Sequence, residues 1–225
     1  MRELYVFCEG PTEQGFCRQV LEHHLFPSGL GCIHPVKVAT SKHSRGGVVS
    51  YVPLKRDIQN ILKSRRQANV FFTSLIDLYG LPQDFPGRRE NPRDPNNPRP
   101  YALAIESAFG SDIGDLRFLP HLQLHEYETM LFSDPDAFRV SFKDCDSAVQ
   151  SLKAIVASVT SLEQINDDPQ SAPSKRIIKL IPRYEGAKAN AGPDIAAYIG
   201  IPAIRAKCPH FDQWLKQLES LNWGD

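Results

Sequence analysis

Residues 4–10, Leu-Tyr-Val-Phe-Cys-Glu-Gly, run directly into Pro11-Thr12-Glu13, and that junction restricts the fold more than any other stretch of the chain. A short β-favouring run ends on an acid and a glycine. Apolar residues then recur at helical spacing, at Phe16, Val20, Leu21 and Leu25, until Pro27 and Gly29 stop the pattern. Thr12 reads as the helix N-cap, with Glu13 and Gln14 in the first turn, where the helix dipole favours acids. A strand that turns at once into a helix sends its terminal carboxylate out of the carboxyl end of the sheet. Ligands of open α/β sheets bind there.

The same event recurs. Residues 33–39 read as a second strand and 52–66 as a helix carrying Leu54, Ile58, Ile61 and Leu62. Residues 69–77 (NVFFTSLID) are almost continuously apolar or β-branched, which suits a strand covered on both faces of a parallel sheet. A long proline-rich loop, 79–100, has the length of a lid or binding loop. A helix over 101–109 and a strand over 117–124 follow. Beyond Ser133 the pattern turns helical, over 134–142, 146–158, 174–181, 192–199 and 211–221. The expectation is an α/β fold with a parallel sheet of about four strands flanked by helices. Residues 1–132 would form the core, and 133–225 a helical extension packed on it as one structural unit.

Composition narrows the function classes. At 41% hydrophobic and 23% charged, the 225 residues have an ordinary soluble composition. No apolar run approaches the ~18–20 residues that span a bilayer, and Met1-Arg2-Glu3 does not begin a secretory signal; a cytoplasmic protein with no membrane partner is expected. Five scattered cysteines without a Cys-x-x-Cys pair disfavour a disulfide framework and a structural zinc site. The 26 basic and 26 acidic side chains cancel, which argues against tight non-specific nucleic-acid binding through phosphates. Local basic clusters remain, among them Lys42 with Arg45 and Arg88 with Arg89, and each is either solvated surface or a partner-facing rim.

Three strand-like segments hand over to a carboxylate: Glu9, Asp77, and Glu126 or Glu128. Parallel strands would bring all three to one edge, with no base beside them in sequence. Carboxylates so gathered repel unless a cation or raised pKa values relieve them. Mg²⁺ (or Mn²⁺) suits, since it takes carboxylates, waters and phosphate oxygens. Zinc competes poorly, because none of the seven histidines shows ligand spacing. His125 beside the acids reads as a packing or ligand-supporting residue. No Gly-x-Ser-x-Gly elbow or Gly-Lys-Ser/Thr phosphate loop is present.

Glu9-Gly10-x-Thr12-Glu13, Asp77 and His125-Glu126-x-Glu128 together resemble the TOPRIM fold. More narrowly, they resemble a TOPRIM-like bacterial family related to overcoming-lysogenization-defect and abortive-infection nucleases. Pro173-Ser174-Lys175-Arg176, Lys188 and Cys208-Pro209-x-Phe211-x-x-Trp214-Leu215 are similar to that family's tail. The resemblance implies a metal-dependent nuclease acting on DNA or RNA, in phage defence and beside an ATPase partner. Glu9 would be a metal ligand or acid–base group, and Asp77 a ligand. Glu128, ahead of Glu126, would supply a further acid. Lys188 would stabilise phosphate charge, Lys175 and Arg176 would bind phosphate, and Glu13 would serve the helix dipole or support a ligand. The family's Asp-x-Asp pair is matched only at Asp77, because Tyr79 stands at the second position. A non-catalytic TOPRIM-like binding module is the alternative. The 214–221 segment, with Leu215, Leu218 and nearby Trp223, either packs internally, the preferred reading, or forms a homodimer contact.

Overall fold

Alternate residues of the first strand choose opposite faces of a sheet, and two cores result. In the computed structural model, which describes residues 2–38, 50–94, 97–165 and 171–221, β1 (Glu3–Cys8) sits at the centre of a parallel sheet. β2 (Cys32–Lys37) flanks it on one side and β3 (Val70–Asp77) on the other. The outer partner of β3 is broken in two, β4 (Phe118–Leu119) and β5 (Leu122–Gln123), both parallel to it. Leu4, Val6 and Cys8 point to one face, Tyr5 and Phe7 to the other. The architecture is thus α/β, with a parallel sheet flanked by helices and helices at the C-terminus.

The Tyr5/Phe7 face carries α3 (Tyr51–Ser64) and α4 (Pro98–Ile113), whose Leu54, Ile58, Ile105 and Phe109 are fully buried against it. The opposite face carries a helical run over 11–28. It opens as α1 (Pro11–Phe16), passes through a π-helical turn (Cys17–Leu21), and resumes as α2 (Glu22–Leu25) before a 3₁₀ turn (Phe26–Ser28). Gly29, at φ 99°, ends the run in the left-handed region. The same core continues into a 3₁₀ segment (Tyr127–Ser133), a second one (Pro135–Val140), and α5 (Asp146–Ala157). It is completed by α6 (Pro173–Leu180), α7 (Tyr184–Ile199), α8 (Ile201–Lys207) and α9 (Pro209–Ser220). One apolar cluster therefore runs from Leu4 to Leu218.

Several local expectations need correction. The first helix is capped at Gly10, not Thr12. Pro11 has no N–H to lose and takes the first helical position, and Glu13 reaches back to the Gly10 N–H at 2.7 Å. The 117–124 strand is interrupted at Pro120 and His121, because proline cannot donate to a ladder. The Ser74 hydroxyl bridges the gap, donating to the His121 carbonyl at 2.8 Å and accepting its N–H at 2.9 Å. The expected helix over 134–142 is a 3₁₀ segment confined to Pro135–Val140. α7 begins eight residues before the expected 192 and carries Pro193 inside it. Trp214, Leu215 and Leu218 are buried within the chain, with Trp214 Nε1 donating to Thr73 Oγ1 of β3 at 2.8 Å. That side of α9 packs internally; Trp223 lies outside the described residues.

Candidate active site at the carboxyl edge of the sheet

Parallel strands end on one edge, so the side chains that follow them meet. Glu9 follows β1, Asp77 ends β3, and Glu126 follows β5 at the N-terminus of the 3₁₀ segment that carries Glu128. The expected acids Glu9, Glu13, Asp77, Glu126 and Glu128 line a single cleft of about 510 Å³. Lys37, Lys175 and Lys188 share its lining, as do Tyr79 and Ser174.

Backbone donors fix the acids. Asp77 Oδ1 accepts the Tyr127 N–H at 2.9 Å, and the Asp77 N–H donates to Glu9 Oε2 at 3.4 Å, so the ends of β1, β3 and β5 are stitched together through carboxylates. Glu126 Oε2 accepts the Ser174 N–H at the start of α6, at 2.8 Å. Glu128 Oε1 takes the Tyr184 hydroxyl at 3.3 Å and lies 3.2 Å from Lys188 Nζ, both on α7. One oxygen of Asp77 and one of Glu128 are tied to the protein in this way. The other oxygen of each takes no hydrogen bond from a described residue.

Electrostatics match this crowding. Burial, then the charges of Glu9, Glu13, Glu126 and Glu128, push the Asp77 carboxyl well above the usual carboxylate range. Burial raises Glu13 to about 7, with Glu9 and Glu128 adding to the shift and the Gly10 N–H opposing it. Glu126 is raised by burial and by Glu128. Asp77, Glu13 and Glu126 are thus all held above their ordinary range, and the cleft favours a cation. The donor set is all oxygen, which fits a hard divalent ion. No three of these carboxylates bring an oxygen each within 4.8 Å of one another, so an ion here would keep several of its own waters, as Mg²⁺ commonly does.

A family model described as Domain of unknown function (DUF4276) matches residues 8–219. The chain belongs to that family. Comparison with curated proteins and with solved structures gives no match.

The remaining site expectations fall out unevenly. Lys175 is exposed in the cleft lining, and Lys188, also in the lining, pairs with Glu128. Arg176 does not line the cleft: its Nε donates to the Ser171 carbonyl at 2.7 Å. Arg88 and Arg89 lie on the 78–94 loop, away from the cleft lining. Lys42 and Arg45 are outside the described residues. His125 is buried with φ 62°, and its Nε2 meets the Glu163 carbonyl at 2.7 Å, so it shapes the turn that presents Glu126.

Sequence reasoning missed Lys37, which ends β2 in register with Cys8. The logic that collected acids at strand ends would have found it if applied to cations. It also missed a second constellation. Glu106, His121 and His210, from α4, the β4–β5 break and α9, form a buried group that could hold a metal ion. Burial pushes the Glu106 carboxyl up, but hydrogen bonds with His121 and His210 outweigh it and hold the group at about 2. No spacing rule reaches across the 89 positions that separate the two histidines (210 − 121).

Proposed function

We propose that the chain is a divalent-metal-dependent phosphodiesterase and, more narrowly, a nuclease hydrolysing DNA or RNA. The observation that carries this reading is the convergence of Glu9, Glu13, Asp77, Glu126 and Glu128 in one cleft whose lining also holds Lys37, Lys175 and Lys188. Acids on the floor suit a cation, and lysines around it suit a phosphate. Two of Glu9, Asp77, Glu126 and Glu128 would hold Mg²⁺ or Mn²⁺ directly and the others through its waters. When bound, the ion polarises a phosphoryl oxygen and lowers the pKa of an attacking water.

The chain's own groups supply the rest. Glu13, held at about 7, can give or take a proton near neutral pH. Lys188, paired with Glu128 and part of the cleft lining, would offer its ammonium to the phosphate. Lys37 and Lys175 orient the diester as point charges. A net charge of zero provides little non-specific grip on nucleic acid. This supports an arrangement in which an ATPase partner delivers the substrate, as the TOPRIM resemblance implies for phage-defence nucleases.

The test is incubation of the purified chain with labelled single- and double-stranded DNA and RNA and either Mg²⁺ or Mn²⁺. Cleavage is expected, stopped by chelation and slowed roughly 100- to 10,000-fold in Glu9→Gln and Asp77→Asn, with circular dichroism unchanged. Absence of cleavage on every substrate with both ions, at substrate concentrations high enough to make delivery by a partner unnecessary, would refute the nuclease reading. A second reading, a binding module without catalysis, is favoured by Tyr79 at the position of the second acid and by the spread of the carboxylates. It predicts retained nucleic-acid or partner binding with no cutting.

A further inference from the structure

Where α4 and α9 close over the β4–β5 break, a second site is built from different chemistry. One Glu106 oxygen, Oε1, lies 2.9 Å from His210 Nε2 and 3.4 Å from His121 Nδ1, and it also accepts the Leu122 N–H at 2.7 Å. Exposure is 8% for Glu106, 1% for His121 and 2% for His210. All three line a pocket of about 180 Å³. The His121 ring is clamped flat against Trp214, at 4.4 Å and 9°. Among the described residues, His121 Nε2 and His210 Nδ1, the ring nitrogens not set against Glu106, have no hydrogen-bond partner, and His210 Nε2 also lies 3.2 Å from the Leu122 carbonyl. The ring nitrogens set against Glu106 are His210 Nε2 and His121 Nδ1, and one ligand atom from each of the three residues lies within 4.8 Å of the others.

The geometry points to a binding site for a divalent transition ion of the Zn²⁺ class, held by Glu106, His121 and His210 with its fourth position open to the pocket. Two imidazoles and a carboxylate are a set that zinc accepts with one site left over. Hard ions such as Mg²⁺ prefer oxygen alone. Tetrahedral ligands at ~2.0–2.1 Å stand about 3.3 Å apart, and the observed 2.9 and 3.4 Å bracket that separation. The Leu122 N–H orients the carboxylate as a supporting donor would. The site is independent of the acid cleft.

The chelator-treated full chain is titrated calorimetrically with Zn²⁺ and, separately, with Mg²⁺. The expected result is saturable Zn²⁺ binding that Mg²⁺ does not displace. Affinity should fall roughly a hundredfold or more in His210→Gln and His121→Phe, and be retained in the Glu9→Gln/Asp77→Asn pair and in Cys32→Ser. The last variant matters because Glu3, Cys32 and His34 form another group of potential ligands, at the sheet edge. X-ray absorption on the Zn²⁺-loaded wild type needs no variant and should show nitrogen and oxygen neighbours without sulfur. Absence of saturable binding overturns the proposal. So does a sulfur ligand, or loss of Zn²⁺ only in the Glu9/Asp77 pair, which would move the ion to the acid cleft and leave the nuclease reading intact.

Discussion

At the scale of single residues, Glu13 is the most exposed to test. Its carboxyl is raised from 4.5 to about 7, first by burial and then by Glu9 and Glu128. An acid with a raised pKa holds its proton longer in the folded chain than in the unfolded one. The stability it contributes is therefore complete below about 4.5 and is lost as pH climbs through about 7. At ~1.4 kcal/mol per pH unit, this interval corresponds to about 3 kcal/mol, and Asp77 acts in the same direction. Urea unfolding of the chelated protein between pH 4 and pH 8 should show the decline. Glu13→Gln should flatten it, since the amide oxygen can still accept the Gly10 N–H. A stability that rises over that interval would contradict the site's electrostatics. The acids themselves were legible one by one, because each sits at a strand end. Their hydrogen-bond partners were not: the Tyr127 and Ser174 amides and the Tyr184 hydroxyl reach the cleft only through tertiary packing.

At the scale of elements, the two helices that frame the cleft touch at glycines. A Cβ on Gly15 of α1 would stand 2.5 Å from Pro193 Cγ of α7. One on Gly192 would stand 2.7 Å from Thr12 Cγ2. This close approach is what brings Lys188 of α7 beside Glu128. Gly15→Ala is expected to destabilise by ~1–3 kcal/mol despite the better helix propensity of alanine. Gly186→Ala, with nothing within 4 Å of the added carbon, should stabilise by about 0.5 kcal/mol. Thermal or urea unfolding of both variants checks the pair, and equal effects would show that the helix contact is slack. Sequence patterning located β1, β3, α3 and α5 closely because the two strands are apolar on both faces and each helix has one apolar face. It missed α8, and the early turns of α7 where Gly186, Ala187 and Ala189 leave little apolar pattern to read. It also fused β4 with β5, since Pro120 was weighed less than the apolar residues around it.

At the scale of the whole molecule, the parallel order β2-β1-β3-β4 explains both what was foreseeable and what was not. Near-continuous apolar strand runs and strand–helix succession imply a common carboxyl edge, so the meeting of Glu9, Asp77, Glu126 and Glu128 follows from topology. The Glu106–His121–His210 group depends instead on α9 folding back over β3, anchored by the Trp214–Thr73 hydrogen bond. Nothing local in sequence announces that return. The loop arginines Arg88 and Arg89 lie outside the cleft lining for a related reason. Leu81 and Phe85 bury into the α3–α4 side and draw the loop to that face. The account rests on the acid cleft accepting a divalent ion, and calorimetric titration of the wild type with Mg²⁺ tests it most directly. Saturable binding that disappears in Asp77→Asn, whose side-chain oxygen can still accept the Tyr127 N–H, is the predicted result. No saturable heat, or equal binding by the variant, would contradict it.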